Sequence, residues 1–160
     1  MNNLENNIDQ YIKDRLDQYR SWYDSKAVNA KKKYLRSRVW SAISAVLVPI
    51  ITNISLPDLT LSNGLIIDIS KVLATIFSTI VALLIALEGV LHYREQWKNY
   101  RTTEQYLTAQ KNIFLNNVGD YAILSKEDAF KLLVDRVEQA ITEENAVTLN
   151  VLTKIDNKGN

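Results

Sequence analysis

The sequence predicts an all-α membrane protein: a transmembrane helical hairpin, long helices extending from it into the cytoplasm, and a C-terminal amphipathic helix. Three observations point there. Val39–Pro57 and Val72–Leu87 hold no Asp, Glu, Lys or Arg, in a chain that is 23% charged. Elsewhere apolar residues recur at intervals of three and four, the period of a helix with one buried face. Four glycines and two prolines in 160 residues are too few to punctuate many short strands.

Residues 1–38 read as a cytoplasmic amphipathic helix, its stripe formed by Leu4, Ile8, Tyr11/Ile12, Leu16, Tyr19, Tyr23, Ala27, Ala30 and Tyr34. No proline or glycine precedes Pro49, so one helix is expected from about residue 6 to 54, roughly 75 Å at ~1.5 Å per residue. Its far part, 39–57, is the first span, since about 20 residues cross a ~30 Å hydrocarbon layer. Pro49 removes one backbone hydrogen bond and is expected to kink this span. Residues 58–65 form an extracytoplasmic loop, in which Asn63-Gly64 suits a tiny hairpin between Leu59–Leu61 and Leu65–Ile67.

The second span covers 66–92. Its segment VLATIFSTIVALLIAL is apolar or small all the way round, which suits lipid better than the limited core of a short chain. It is expected to continue unbroken through a cytoplasmic extension, 93–117, until Asn116-Asn117-Val118-Gly119. A last cytoplasmic helix, 125–155, opens on a capping box at Ser125–Asp128 and carries the stripe Phe130, Leu133, Val134, Val137, Ile141. Residues 156–160 read as a frayed tail. Three amphipathic cytoplasmic helices need each other or further copies to cover their stripes, so a symmetric homo-oligomer is expected.

Orientation follows the basic residues. Lys26, Lys31, Lys32, Lys33, Arg36 and Arg38 crowd the entrance to the first span, and Arg94, Lys98 and Arg101 follow the second. The connection carries only Lys71. The positive-inside rule then puts both termini in the cytoplasm, with Trp40, Tyr93 and Trp97 at the interface. A basic run directly against a span suits anionic lipid better than nucleic acid, so no nucleic-acid partner is expected. The polar start of the chain does not resemble a cleaved signal peptide.

Without cysteine there is no thiol nucleophile and no Cys-ligated metal. His92 is the sole histidine, and four scattered glycines supply no phosphate-binding fingerprint. Glu104, Glu138, Glu143 and Glu144 read as carboxylates on wet helix faces with no nucleophile–base pair beside them. No catalytic residue, metal site or cofactor is expected, and the chain does not read as an enzyme.

The candidate site residues are of three kinds. Glu88 lies about a turn from the inner end of the second span, where a carboxylate usually faces protein or water, and His92 follows at i+4. Glu88 either rings the mouth of a cation-conducting pore or marks the headgroup boundary. Ser41, Ser44, Val48, Thr52 and Ser55 share one face of the first span; Thr75, Ser78, Thr79, Ala82, Ala86 and Gly89 share one of the second. Such faces permit close helix packing or line a wet pore, which then needs several copies. Trp97, Tyr100, Arg101 and Glu104 form a cytoplasmic patch that either gates or contacts a protein partner, or packs against the N-terminal helix.

Glu88-Gly89, Trp97, Tyr100-Arg101, Glu104, Leu107 and Tyr121, then Phe130, Leu133-Val134, Val137-Glu138 and Glu144-Asn145, resemble the bacterial two-span SLATT family and its domain-of-unknown-function relatives. The resemblance extends over roughly residues 10–155 and is most specific in W-x-x-Y-R-x-x-E. It departs at Gln110, where an acidic residue is expected, and at Thr148, where an aromatic is common. The resemblance implies a self-associating inner-membrane protein and, for many members, a pore-forming or membrane-disrupting effector in antiphage defence. The competing expectation is a non-conducting anchor whose cytoplasmic helices bind a partner.

Overall fold

A computed structural model describes residues 2–54, 56–64 and 66–153. The chain is all-helical apart from one small ladder, in the order α1 (Asn2–Tyr11), a π turn (Ile12–Leu16), α2 (Asp17–Asn53), β1 (Leu59–Thr60), β2 (Ile66–Ile67), α3 (Ile69–Leu91), α4 (Tyr93–Leu115), a 3₁₀ turn (Gly119–Ile123) and α5 (Lys126–Thr153). It divides into two compact units, residues 1–31 with 93–160, and residues 32–92.

The first unit owns the hydrophobic core. Ile8, Ile12, Leu16 and Tyr23 meet Leu107 of α4, Tyr121 of the 3₁₀ turn, and Ala129, Leu133, Val137 and Ile141 of α5. Those α5 residues repeat every four positions and are at most 5% exposed; Leu133, Val137 and Ile141 belong to the expected stripe, whereas its Phe130 and Val134 are half-buried and Ala129 is not in it. The single α-helix expected from about residue 6 is interrupted by the π turn. Ile8, Ile12 and Leu16, at four-residue intervals across it, all stay at or below 7% exposure.

Helix ends follow local chemistry. Helix α4 stops where Asn117 (φ 51°) and Gly119 (φ 63°) turn left-handed, with the Val118 N–H closing on the Ile113 carbonyl at 3.1 Å. Ser125 caps α5: its hydroxyl accepts from the Asp128 N–H at 3.2 Å and donates to the Asp128 carboxylate at 2.6 Å. The expected end of α5 near Ile155 lies outside the described residues.

In the second unit the ladder pairs Leu59 with Ile67 and Thr60 with Ile66, antiparallel. Gly64 supplies the turn at φ 80°, and its N–H bonds the Leu61 carbonyl at 2.9 Å. Residues 66–67, expected within the second span, are therefore strand, and the helix begins at Ile69. Asp68 caps it by accepting from the Lys71 N–H at 3.1 Å. Helix α2 passes through Pro49. Beyond it the Thr52 hydroxyl donates to the Val48 and Pro49 carbonyls, both at 3.1 Å, and the Asn53 amide donates to the Pro49 carbonyl at 2.7 Å.

The unbroken continuation expected after Glu88 is also corrected. Helix α3 ends at Leu91, with His92 in the left-handed region (φ 46°, ψ 39°) and its N–H bonding the Glu88 carbonyl. Histidine is among the few non-glycine residues enriched there. Gly89, one turn earlier in sequence terms, stays helical. Both α3 and the long N-terminal helix are long and apolar enough to span a membrane.

Candidate functional site

Within the second unit, two bonds tie the apolar helices: the Ser70 hydroxyl donates to the Ile54 carbonyl at 3.1 Å, and the Ser37 hydroxyl to the Leu84 carbonyl at 3.5 Å. Ser44 is only 2% exposed. Ser41 lines a cleft of about 500 Å³ with Ala42, Ala45, Val81 and Ile85. The Ser41 and Ser44 part of the α2 hydroxyl face is thus turned toward α3. Thr52 is exposed near the end of the face; Ser55 lies outside the described residues.

Helix α3 behaves oppositely. Thr75, Ser78, Thr79, Ala82, Ala86 and Gly89 are all exposed. Thr75 and Thr79 spend their hydroxyls on their own helix, donating to the Lys71 and Thr75 carbonyls at 2.8 Å. The half-buried side of α3 consists of Leu73, Ala74, Phe77, Val81, Leu84 and Glu88. At about 100° per residue, Glu88 lies some 140° around the helix from Thr75. The carboxylate and the hydroxyl stripe therefore occupy different sides of one helix. Glu88 and His92 are joined through the backbone bond of the helix cap, at 3.0 Å.

Ahead of the first span, Lys32, Lys33, Arg36, Arg38 and Trp40 are exposed on α2. In the first unit the Lys31 ammonium sits 5.4 Å from the Trp97 ring centroid, a cation–π distance. The rest of the Trp97–Glu104 patch packs on α2. Tyr100 stands edge-on to Trp22 at 5.9 Å and tilted against Tyr23 at 6.2 Å. The Arg101 guanidinium donates to Asp24 at 2.9 Å and to Glu104 at 3.0 Å, and Glu104 also accepts from the Thr108 hydroxyl at 3.0 Å. Of the two expectations for this patch, its contacts are those of packing against the N-terminal helix.

Other polar groupings escape a linear reading. The Glu138 carboxylate accepts from the Tyr11 hydroxyl at 3.0 Å and from two Arg15 nitrogens. Arg15 holds that carboxyl below its usual range, while burial and Glu138 push the Tyr11 phenol up. The Lys111 ammonium donates to both Asp17 oxygens, at 2.8 and 2.7 Å. Gln110, conspicuous in the sequence as a departure, is 8% exposed. Its carbonyl oxygen accepts from Tyr121 at 2.8 Å and Arg136 at 3.4 Å.

Glu144 corrects an expectation. Placed on a wet face by the sequence reading, it is 5% exposed. The signal was present, since Glu144 falls three residues after Ile141 on the buried α5 stripe. It lines a groove of about 380 Å³ between α4 and α5, with Asn99, Thr102, Thr103, Tyr106 and Gln139 among the walls. Beside it, the fully buried Tyr23 hydroxyl has no hydrogen-bond partner. Burial pushes that phenol up first, and the Glu144 carboxylate adds to the effect. Among the described residues no group of His, Cys, Asp and Glu is arranged to hold a metal ion.

No curated protein and no solved structure matches the chain. A family model does match, over residues 18–129, which takes in both apolar helices, the hairpin, the His92 cap and α4. The chain belongs to that family, DUF4231, a family of proteins of unknown function.

Proposed function

We propose that this chain is a two-span integral membrane protein of the SLATT type, whose copies form a cyclic homo-oligomer that conducts ions or permeabilises the bacterial inner membrane. One observation carries the reading: the apolar window of α3 has a mean hydropathy of 2.2 and none of it is buried. A surface of that kind left open to water is a liability, and a bilayer covers it. The basic residues before the first span and after the second put both termini in the cytoplasm, against anionic lipid. The exposed hydroxyl stripe Thr75, Ser78, Thr79 is the best candidate lining, since Ser41 and Ser44 face the neighbouring helix. Nothing in this reading calls for enzymatic chemistry, and antiphage defence is the role that the family resemblance suggests.

The second reading is a non-conducting anchor whose cytoplasmic helices hold a protein partner. It is favoured by the separation of Glu88 from the hydroxyl stripe and by the bonding of Thr75 and Thr79 within their own helix. Proteoliposomes separate the two. Ion flux that disappears in Ser78→Phe supports conduction through the α3 stripe. An absence of flux at every voltage, pH and calcium level tested supports the anchor. The mass of the detergent-solubilised complex adds a second test, because a monomer or dimer cannot enclose a central pore.

A further inference from the structure

We propose that the groove between α4 and α5 binds a small organic ammonium ion, with Glu144 as its counter-ion. A carboxylate removed from water is costly unless a cation and hydrogen bonds replace the lost hydration. Glu144 is 5% exposed. The Thr148 hydroxyl donates to one of its oxygens, and no Lys or Arg among the described residues forms a salt bridge with it. The cation lining the same groove, Arg136, is engaged elsewhere: it pairs with Asp120 and reaches the Gln110 carbonyl oxygen at 3.4 Å.

The shape of the site points to an occupant. Tyr23 is fully buried behind Glu144 and is not part of the groove wall. The groove is a built concavity of about 380 Å³, within the size range of small-molecule sites. Its remaining walls suit an ammonium. Asn99 and Thr102 offer acceptor oxygens, Tyr106 an aromatic face for cation–π contact, and the exposed rim carboxylate Glu143 a second charge. A divalent metal fits less well, because the described residues hold no group of three or more acidic, His or Cys ligands. The ligand is therefore an amine whose N–H donors reach Glu144 while its alkyl part lies against Tyr106 and Val147. This site is independent of whether the spans conduct.

The full-length chain in a neutral detergent, titrated calorimetrically with 1,4-diaminobutane at constant ionic strength, tests this. Saturable binding with one site per chain and a raised melting temperature are expected. Glu144→Gln should weaken binding at least ten-fold, and Tyr106→Leu several-fold. Magnesium chloride should not compete. The proposal is overturned if diaminobutane does not saturate, if Glu144→Gln binds as well as the parent, or if magnesium displaces the amine. Should Glu144→Gln lose its helical circular dichroism, the exposed rim variants Glu143→Gln and Tyr106→Leu decide the matter. Unchanged affinity in both overturns the site.

Discussion

The Arg15 guanidinium grips the Glu138 carboxylate through two parallel bonds, Nε to Oε1 at 2.9 Å and Nη2 to Oε2 at 2.7 Å, across 123 residues of sequence. Arg15 belongs to the π turn, so the same local geometry that keeps Ile12 and Leu16 in the core aims this fork at α5. Tyr11 adds a third bond at 3.0 Å. Both charged side chains are still about 40% exposed, at 40% and 38%. Solvent screening then holds the pair to about 1 kcal/mol, well below a core side chain.

Glu138→Gln should therefore cost about 1 kcal/mol near neutral pH, and the cost should depend on acidity. Arg15 depresses the folded carboxyl below its ordinary 4.5. A depressed folded pKa contributes stability that is fully present above the unfolded value and lost as pH falls through the folded one. Melting temperatures of parent and Glu138→Gln should diverge above about pH 5 and converge in stronger acid. A gap that persists unchanged into strong acid would show that the fork is not the source.

Leu133→Ala sets the scale for comparison. Leu133 is fully buried at the centre of the α5 stripe. Removing its branched end creates a cavity that costs about 2–5 kcal/mol. Chemical denaturation should rank this variant well below Glu138→Gln, and equal losses would contradict a core-dominated first unit.

The α5 stripe was legible because spacing of three and four residues is a local signal, and a three-residue step from Ile141 reaches Glu144. The two apolar helices, the Asn63-Gly64 hairpin and the Ser125 cap were legible for the same reason: each is written in adjacent residues. The π turn and His92 were not. The π turn falls within an uninterrupted amphipathic stripe, and His92 takes a left-handed conformation that no neighbouring proline or glycine announces. Pairings such as Arg15–Glu138 and Tyr121–Gln110 depend on which helices meet. Spacing showed where Glu88, Thr75 and Ser78 lie along α3; its half-buried side showed that Glu88 and the hydroxyls part company.

Two buried tyrosines should respond oppositely to loss of the hydroxyl. Tyr121 donates to Gln110 at 2.8 Å in a buried bond, so Tyr121→Phe leaves a carbonyl short of a partner and should cost about 1 kcal/mol. The Tyr23 hydroxyl is buried without a partner. Tyr23→Phe removes that desolvated group and should be neutral or stabilising by up to about 1 kcal/mol. Denaturation midpoints measured without added amine test the contrast. A loss in Tyr23→Phe matching that of Tyr121→Phe would mean that the hydroxyl is paired in solution.

His92 holds a positive φ that β-branched side chains resist. His92→Val should lower stability by about 1–2 kcal/mol, whereas His92→Gly meets no such penalty at that φ. The observable is the thermal midpoint of the detergent-solubilised chain, with Gly expected above Val. The reverse order would mean that α3 and α4 join without a left-handed residue.

The two apolar helices offer a paired test of which hydroxyls are packed and which are open. Ser44 is 2% exposed beside the second helix, while Ser78 is exposed. Ser44→Leu must force extra methyl groups into an occupied space and should destabilise the hairpin by about 1–3 kcal/mol. Ser78→Leu adds apolar surface where nothing in the same chain stands in the way, and should leave the melting temperature of the solubilised chain unchanged. In liposomes the same positions report on water. A Ser44→Cys thiol should react slowly with a membrane-impermeant maleimide under either functional reading. A Ser78→Cys thiol should react quickly if the α3 stripe lines a wet pore, and stay protected if it faces lipid or another copy. Fast labelling at Ser44 together with protection at Ser78 would invert the inward and outward faces assigned to the hairpin.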